Sequence, residues 1–401
     1  MKPINGSSWQ VTPGFEVADA SFLGQDGSQL GVVFLSETMA RVTWRPEAGF
    51  KEPRTWAIAP MEGEDAPWDG RPRASLVGFD RPQLQVLDTQ SVLSTAHLKL
   101  ELTAGENQPV RLLWSHPDSG LPFQSDRVTS AYLSEKRTGL VRHCVVRDPN
   151  EHYFGLGDKT GPLNLHGRRL RCLGQDSIGY DPEKGDPLYK HWPFLITRTV
   201  NGLWTGIYYD TLSACTFDLG CEHDNYHGLF RTTEIDDGDL DYYLMVGSSP
   251  EEVIRQFVKL VGGTHLPPRW TLGYAQTAMG LADSPNAQEL LESFIDECQK
   301  YGVPISSFHY GSGYSSRGKQ RYVFTWNRSK FPDPERVNAK FHAAGMKLVA
   351  NLKPCLLDDH PAYSDLAAGG AFIEHSENSK PVVEPYWDGQ GSHLDFTKPK
   401  L

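Results

Sequence analysis

No CxxC pair occurs among the six cysteines, Cys144, Cys172, Cys215, Cys221, Cys298 and Cys355, and their spacing fits neither a zinc nor an iron–sulfur site. A Cys215–Cys221 bridge across a short loop suits the spacing, but free core cysteines suit the sequence better. No run of eighteen apolar residues exists, which argues against a helical membrane span. Basic residues are the minority: 39 Lys and Arg stand against 50 Asp and Glu, a formal charge of -11. Nucleic acid or an anionic membrane would be drawn mainly by Lys and Arg, so neither is expected as a partner. His152, His166, His191, His223 and His227 show no HExxH spacing, and no GxSxG elbow is present. Nothing in the sequence asks for a cofactor or a metal. Carboxylates abound, yet no pair stands at two strand ends as an acid and a nucleophile should.

The first thirty residues lack a basic n-region followed by an apolar h-region, so no signal peptide is visible. A secreted chain that had already lost its leader would read the same, and the compartment stays open. Asn5-Gly6-Ser7 and Asn327-Arg328-Ser329 match the glycosylation triplet, a pattern common by chance.

What the chain does have is rings and turns. Aromatics make up 11% of it, with 10 Trp and 16 Tyr beside 28 Pro and 38 Gly, as suits a loop-rich globular enzyme. With 401 residues it exceeds a single core. Residues 1–262 are dominated by short strand-like runs, such as Gly31–Leu35, Met39–Trp44, Thr95–Leu100 and Leu203–Tyr209, punctuated by Gly, Pro, Asp and Asn. This pattern predicts a β-sandwich rather than a Rossmann unit. One helix is predicted over Pro250–Val261, with Ser249 as cap and Gly262-Gly263 as stop.

From residue 263 to 401 the rhythm changes to strand and helix in alternation. Strands are predicted at Trp270–Tyr274, Pro304–Phe308 and Met346–Leu352, and helices at Asn286–Lys300, Pro334–Ala344 and Tyr363–Ala368. Such alternation means parallel strands covered by helices. Only about three strand–helix units are present, too few to close a barrel, so the sequence is expected to need another polypeptide to finish the domain.

In parallel α/β domains ligands meet the C-terminal ends of the strands. Here the second of those ends stands out, His309-Tyr310-Gly311-Ser312-Gly313-Tyr314. Its glycines would let the backbone approach a ligand, while its rings and hydroxyls could stack or hydrogen-bond; a turn with a few ordering contacts is the plainer reading. Gly311-Ser312-Gly313 lacks the lysine and third glycine of a nucleotide loop. A second concentration is the long stretch from Gly155 through Asp176, Asp181 and Asp186 to Phe194. Loops of this length and composition often serve a site, and an Asp among rings suits sugar hydroxyls. The competing reading of each Asp is a carboxylate capping its own loop.

Several segments, in order, resemble glycoside hydrolase family 31, the α-glucosidase and α-xylosidase group. They are Tyr153–Lys159, Leu266-Pro267-Pro268-Arg269-Trp270-Thr271-Leu272-Gly273-Tyr274, Phe324–Pro334, Gly345–Val349 and Trp387-Asp388-Gly389 through Thr397. The resemblance spans residues 150–401. It implies an N-terminal β-sandwich, then the first part of a (β/α)8 TIM barrel completed by another chain. It also implies retaining hydrolysis of terminal α-linked glucose, with transfer to an acceptor sugar as an accompanying outcome. A retaining pair of carboxyls stands roughly 5–5.5 Å apart. In the family both aspartates lie downstream of the segment with which this sequence closes, so no catalytic residue is assigned; Asp388 and Asp395 match non-nucleophilic positions.

The resemblance leaves this chain the substrate pocket. Trp387 is implied near the non-reducing-end sugar, and Asp176 is expected to bind hydroxyls beyond the cleavage point. His309, Tyr310, Tyr314, Leu352 and Lys353 are further binding candidates. The family's Asp-Ile-Asp-Tyr run at the second strand is here Gly311-Ser312-Gly313-Tyr314, and Lys353 stands where Asp-Pro is common. A missing carboxylate costs on the order of 1–3 kcal/mol for a sugar hydroxyl unless another group replaces it. The expected partners are a C-terminal fragment or subunit carrying the chemistry, and an α-linked oligosaccharide. A non-catalytic carbohydrate-binding or regulatory protein of the same fold is the alternative of another class, and an α-xylosidase the alternative within the family.

Overall fold

A computed structural model describes all residues except 1, 4–8, 12–17, 46–48, 60–63, 65, 88–90, 106–107 and 399–401. The Asn5-Gly6-Ser7 triplet lies outside them. The chain divides into two compact units, Met1–Thr264 and His265–Leu401.

The first unit is built from antiparallel sheets of eight, six and five strands, with a helix at its end. The central hairpin shows why. In Gln29–Ser36 and Met39–Arg45, alternate residues Leu30, Val32, Phe34, Ala40, Val42 and Trp44 enter the main core, while Val33, Leu35 and Met39 enter a second one. Period-2 alternation thus buries the eight-stranded sheet on both faces. The second core is closed by the helix Pro250–Val261, which contributes Val253, Phe257 and Leu260. Ser249 caps this helix by accepting from the Glu252 N–H, and Phe257 stacks on Phe194 with ring centroids 4.0 Å apart.

One predicted strand is shorter than expected. Thr95–Leu98 is a turn, because the Thr95 hydroxyl accepts from the N–H groups of His97 and Leu98, and the strand starts at Lys99.

A buried charge network lies within this unit. Arg41 bridges Asp241 through Nε and Nη2 at 2.8 and 2.6 Å, and Arg73 Nη1 reaches Asp210 at 2.7 Å and Asp241 at 2.8 Å. The four side chains are at most 4% exposed. Burial, reinforced by the charge of Asp241 and opposed by Arg73, pushes the Asp210 carboxyl up to about 6. Burial acts the same way on Asp241, but Arg41 and Arg73 outweigh it and hold that carboxyl below its usual value.

The second unit contains a three-stranded parallel sheet, Ala275–Thr277, Ser307–Tyr310 and Lys347–Ala350, with the middle strand paired to both others. Helices Ala287–Lys300 and Pro334–Ala343 cover one face, packing Leu291, Ile295, Val337 and Phe341 against Phe308 and Tyr310. Among the described residues no further strand pairs with either edge, and the sheet is not closed into a barrel. Trp270–Tyr274 is not the first strand. Arg269–Leu272 forms a 3-10 turn, with the Gly273 N–H bonded to the Trp270 carbonyl, and the strand begins at Ala275.

After the third strand comes a small antiparallel sheet of Cys355–Leu357, Gly389–His393 and Glu384–Tyr386, with the helix Tyr363–Ala368 beside it. All six cysteines are free; five are buried and Cys221 is exposed. No described helix is long and apolar enough to cross a membrane.

Candidate functional site

In the sandwich unit the long loop is pinned at its base. Gly155, Leu156 and Gly157 have φ of 97°, 62° and 74°, three consecutive left-handed residues. A Cβ at Gly155 would lie 2.4 Å from the Phe194 carbonyl oxygen, so only glycine permits this approach. Farther out, Lys159 Nζ donates to Asp186 at 2.9 Å, and the other Asp186 oxygen accepts from the Arg171 N–H. Asp181 accepts from the Glu183 N–H within its own turn. Asp181 and Asp186 are therefore loop-ordering carboxylates.

Asp176 differs from both. It is exposed, and among the described residues no side-chain donor is committed to it in the way Lys159 is to Asp186. Partial desolvation and the nearby Asp176 carboxylate raise the Tyr189 phenol above the ordinary tyrosine value. Tyr180, Tyr189 and Trp192 leave about half their surface in solvent, at 49%, 53% and 45%. A carboxylate with free acceptor capacity among exposed rings can take sugar hydroxyls while a ring covers an apolar sugar face.

In the second unit the strand ends place the remaining candidates unequally. Ser307 and His309 point away from the helices, since Phe308 and Tyr310 point toward them, and His309 Nε2 lies 3.3 Å from Ser307 Oγ. Tyr310 and Tyr314 correct the expectation that their rings face a ligand. Both are buried in the core against Trp326, and their hydroxyls donate to Asn338 Oδ1 at 2.8 Å and the Asn351 carbonyl at 3.1 Å. Burial pushes both phenols up. Gly313 is likewise explained by packing: a Cβ there would meet Asp283 Oδ1 at 2.2 Å and the Ala282 carbonyl at 2.6 Å. The glycine lets the turn fit beneath the helix Met279–Asp283 rather than beneath a ligand.

Leu352 and Trp387 are each 54% exposed. Trp387 and Asp388 form the two-residue turn between paired Tyr386 and Gly389. Lys353 Nζ sits 3.9 Å from the centroid of the Trp387 ring, a cation–π contact, and Tyr386 lies parallel to that ring at 6.0 Å. Asp388 is committed elsewhere: its two oxygens accept from the Arg321 N–H at 2.9 Å and from Arg321 Nη1 at 2.6 Å. Asp395 accepts from the N–H and hydroxyl of Thr397. Both carboxylates order their own turns. Among the described residues no group of three or more His, Cys, Asp or Glu is placed to hold a metal ion.

Residues 29–218 match the glycosyl hydrolase 31 N-terminal galactose mutarotase-like domain, and residues 264–401 match the glycosyl hydrolases family 31 TIM-barrel domain. The chain belongs to glycoside hydrolase family 31. It is 28% identical over 258 residues to alpha-glucosidase 2 of Bacillus thermoamyloliquefaciens, covering 64% of this chain and 31% of that protein. It is 26% identical over 298 residues to the alpha-xylosidase XylQ of Lactiplantibacillus pentosus, covering 74% and 35%. The family 31 dextranase of Flavobacterium johnsoniae, in complex with glucose, shares its fold at a TM-score of 0.79 and 19% identity, covering 100% of this chain and 45% of that one. The chain thus spans about a third of the length of these curated relatives, 31% and 35%.

Sequence reasoning passed over Arg321. Its partner Asp388 is 67 positions away, and no local pattern joins the two.

Proposed function

We propose that this chain is the N-terminal part of a retaining α-glycosidase that removes terminal α-linked glucose from oligosaccharides. The observation that carries this reading is the succession of the two family 31 domains, with an exposed tryptophan presented after the third barrel strand. The chain supplies substrate-binding residues: Trp387, Lys353, Leu352 and His309 on the barrel unit and, on its own unit, Asp176 of the sandwich loop. The nucleophile and the acid/base aspartates belong to the sequence that completes the barrel, on the same or another polypeptide.

The test is hydrolysis by the full-length protein or its assembly. Maltose, isomaltose and aryl α-glucoside should be cleaved with the released sugar first appearing as the α-anomer. Faster cleavage of aryl α-xyloside would replace glucose by xylose, an outcome that the relative XylQ makes specific. Sugar binding without cleavage would move the protein to the carbohydrate-binding class. Native and denaturing mass measurements show whether a second polypeptide is present.

Within this reading Asp176 offers sugar hydroxyls a carboxylate. Asp176→Ala should lower kcat/KM at least about tenfold, the equivalent of roughly 1.4 kcal/mol. An unchanged value would remove Asp176 from substrate binding.

A further inference from the structure

Trp387 has a weak hold of its own. It projects from a two-residue turn, is more exposed than buried at 54%, and touches chiefly Lys353 and its chain neighbour Tyr386. A ring in that setting samples several rotamers, and each must be frozen out when a sugar binds. What stabilises the turn lies one residue on. Asp388, its side chain only 6% exposed, is held by the Arg321 N–H and Nη1, while Arg321 Nε donates to Ser312 Oγ at 2.8 Å. One guanidinium therefore ties the turn after the second barrel strand to the hairpin that carries Trp387.

We infer that Arg321 is a positioning residue for substrate recognition: through Asp388 it fixes the Trp387 ring for contact with the non-reducing-end sugar. The inference rests on the glycosidase reading for its sugar and on the geometry above for the tether. Ser312 is the anchor for the tether.

The experiment compares Arg321→Ala, Asp388→Asn and their combination in the full-length protein. KM for the preferred disaccharide should rise about tenfold while kcat stays within about threefold, because ring placement acts on binding. Acrylamide quenching assigned to Trp387, by difference from matched Trp387→Phe proteins, should increase about twofold. The double variant should be no worse than either single one, since both remove the same link. Arg321→Lys keeps the charge without the planar fork and should be intermediate; it serves if the Ala variant does not fold. Unchanged KM and unchanged quenching in folded variants would overturn the inference, as would additive effects or a drop in thermal stability alone. If wild-type protein cleaves no α-glycoside, the glycosidase reading fails separately. The tether is then judged by quenching alone, and an unchanged value overturns it.

Discussion

Asp241→Ala should destabilise the sandwich unit by about 3–5 kcal/mol, read as a fall in the urea midpoint of the full-length protein followed by near-ultraviolet circular dichroism. The size follows from what is left behind. Asp241 accepts from both Arg41 and Arg73, and its removal leaves Arg41 buried without its carboxylate and Arg73 with Asp210 alone. An unpaired buried charge has no water to replace its partner. The exposed pair of Lys51 and Asp237, at 37% and 65% exposure, is the control. Asp237→Ala should change stability by no more than about 0.5 kcal/mol. Equal effects at the two positions would show that burial of the network contributes nothing.

Trp387→Ala should lower kcat/KM on an α-glucoside roughly thirtyfold, equivalent to about 2 kcal/mol, with Trp387→Phe recovering most of it. An exposed indole that faces no core loses little folding energy on truncation, so thermal stability should hardly move. A large loss of stability with unchanged catalytic constants would make Trp387 a packing residue. Lys353→Ala is informative beside it. The ammonium covers the indole at 3.9 Å, and its removal leaves the aromatic ring while taking away the charge set against it.

The fold was legible where burial imposes a period. The helix Pro250–Val261 carries cap, proline and glycine in the expected places, and the hairpin of Gln29–Ser36 with Met39–Arg45 shows its alternation in the letters. Reading failed where short-range bonds outcompete pattern. Thr95 and Trp270 each belong to apolar or β-branched runs that suggest strand, yet each closes a turn through bonds to residues two or three positions away. The site was legible only in part, for a related reason. Tyr310 and Tyr314 share a composition with ligand-facing rings, but side-chain direction depends on which strand face meets the helices, and that depends on residues more than twenty positions distant. Asp176, Asp181 and Asp186 are the same residue type in one loop; only the donors around them separate an open carboxylate from two committed ones.

The left-handed run at Gly155, Leu156 and Gly157 sets the sandwich loop on a fixed footing. The backbone there is locked against Phe194 and the interior of the loop is held by Lys159 and Asp186, so the exposed tip bearing Asp176, Tyr180 and Tyr189 stands on an ordered base. On the proposed reading, substitutions at the tip change which sugar hydroxyls are met without asking the core to repack. The loop is then an exchangeable cassette, in which preference for a linkage drifts while the scaffold that presents it stays the same.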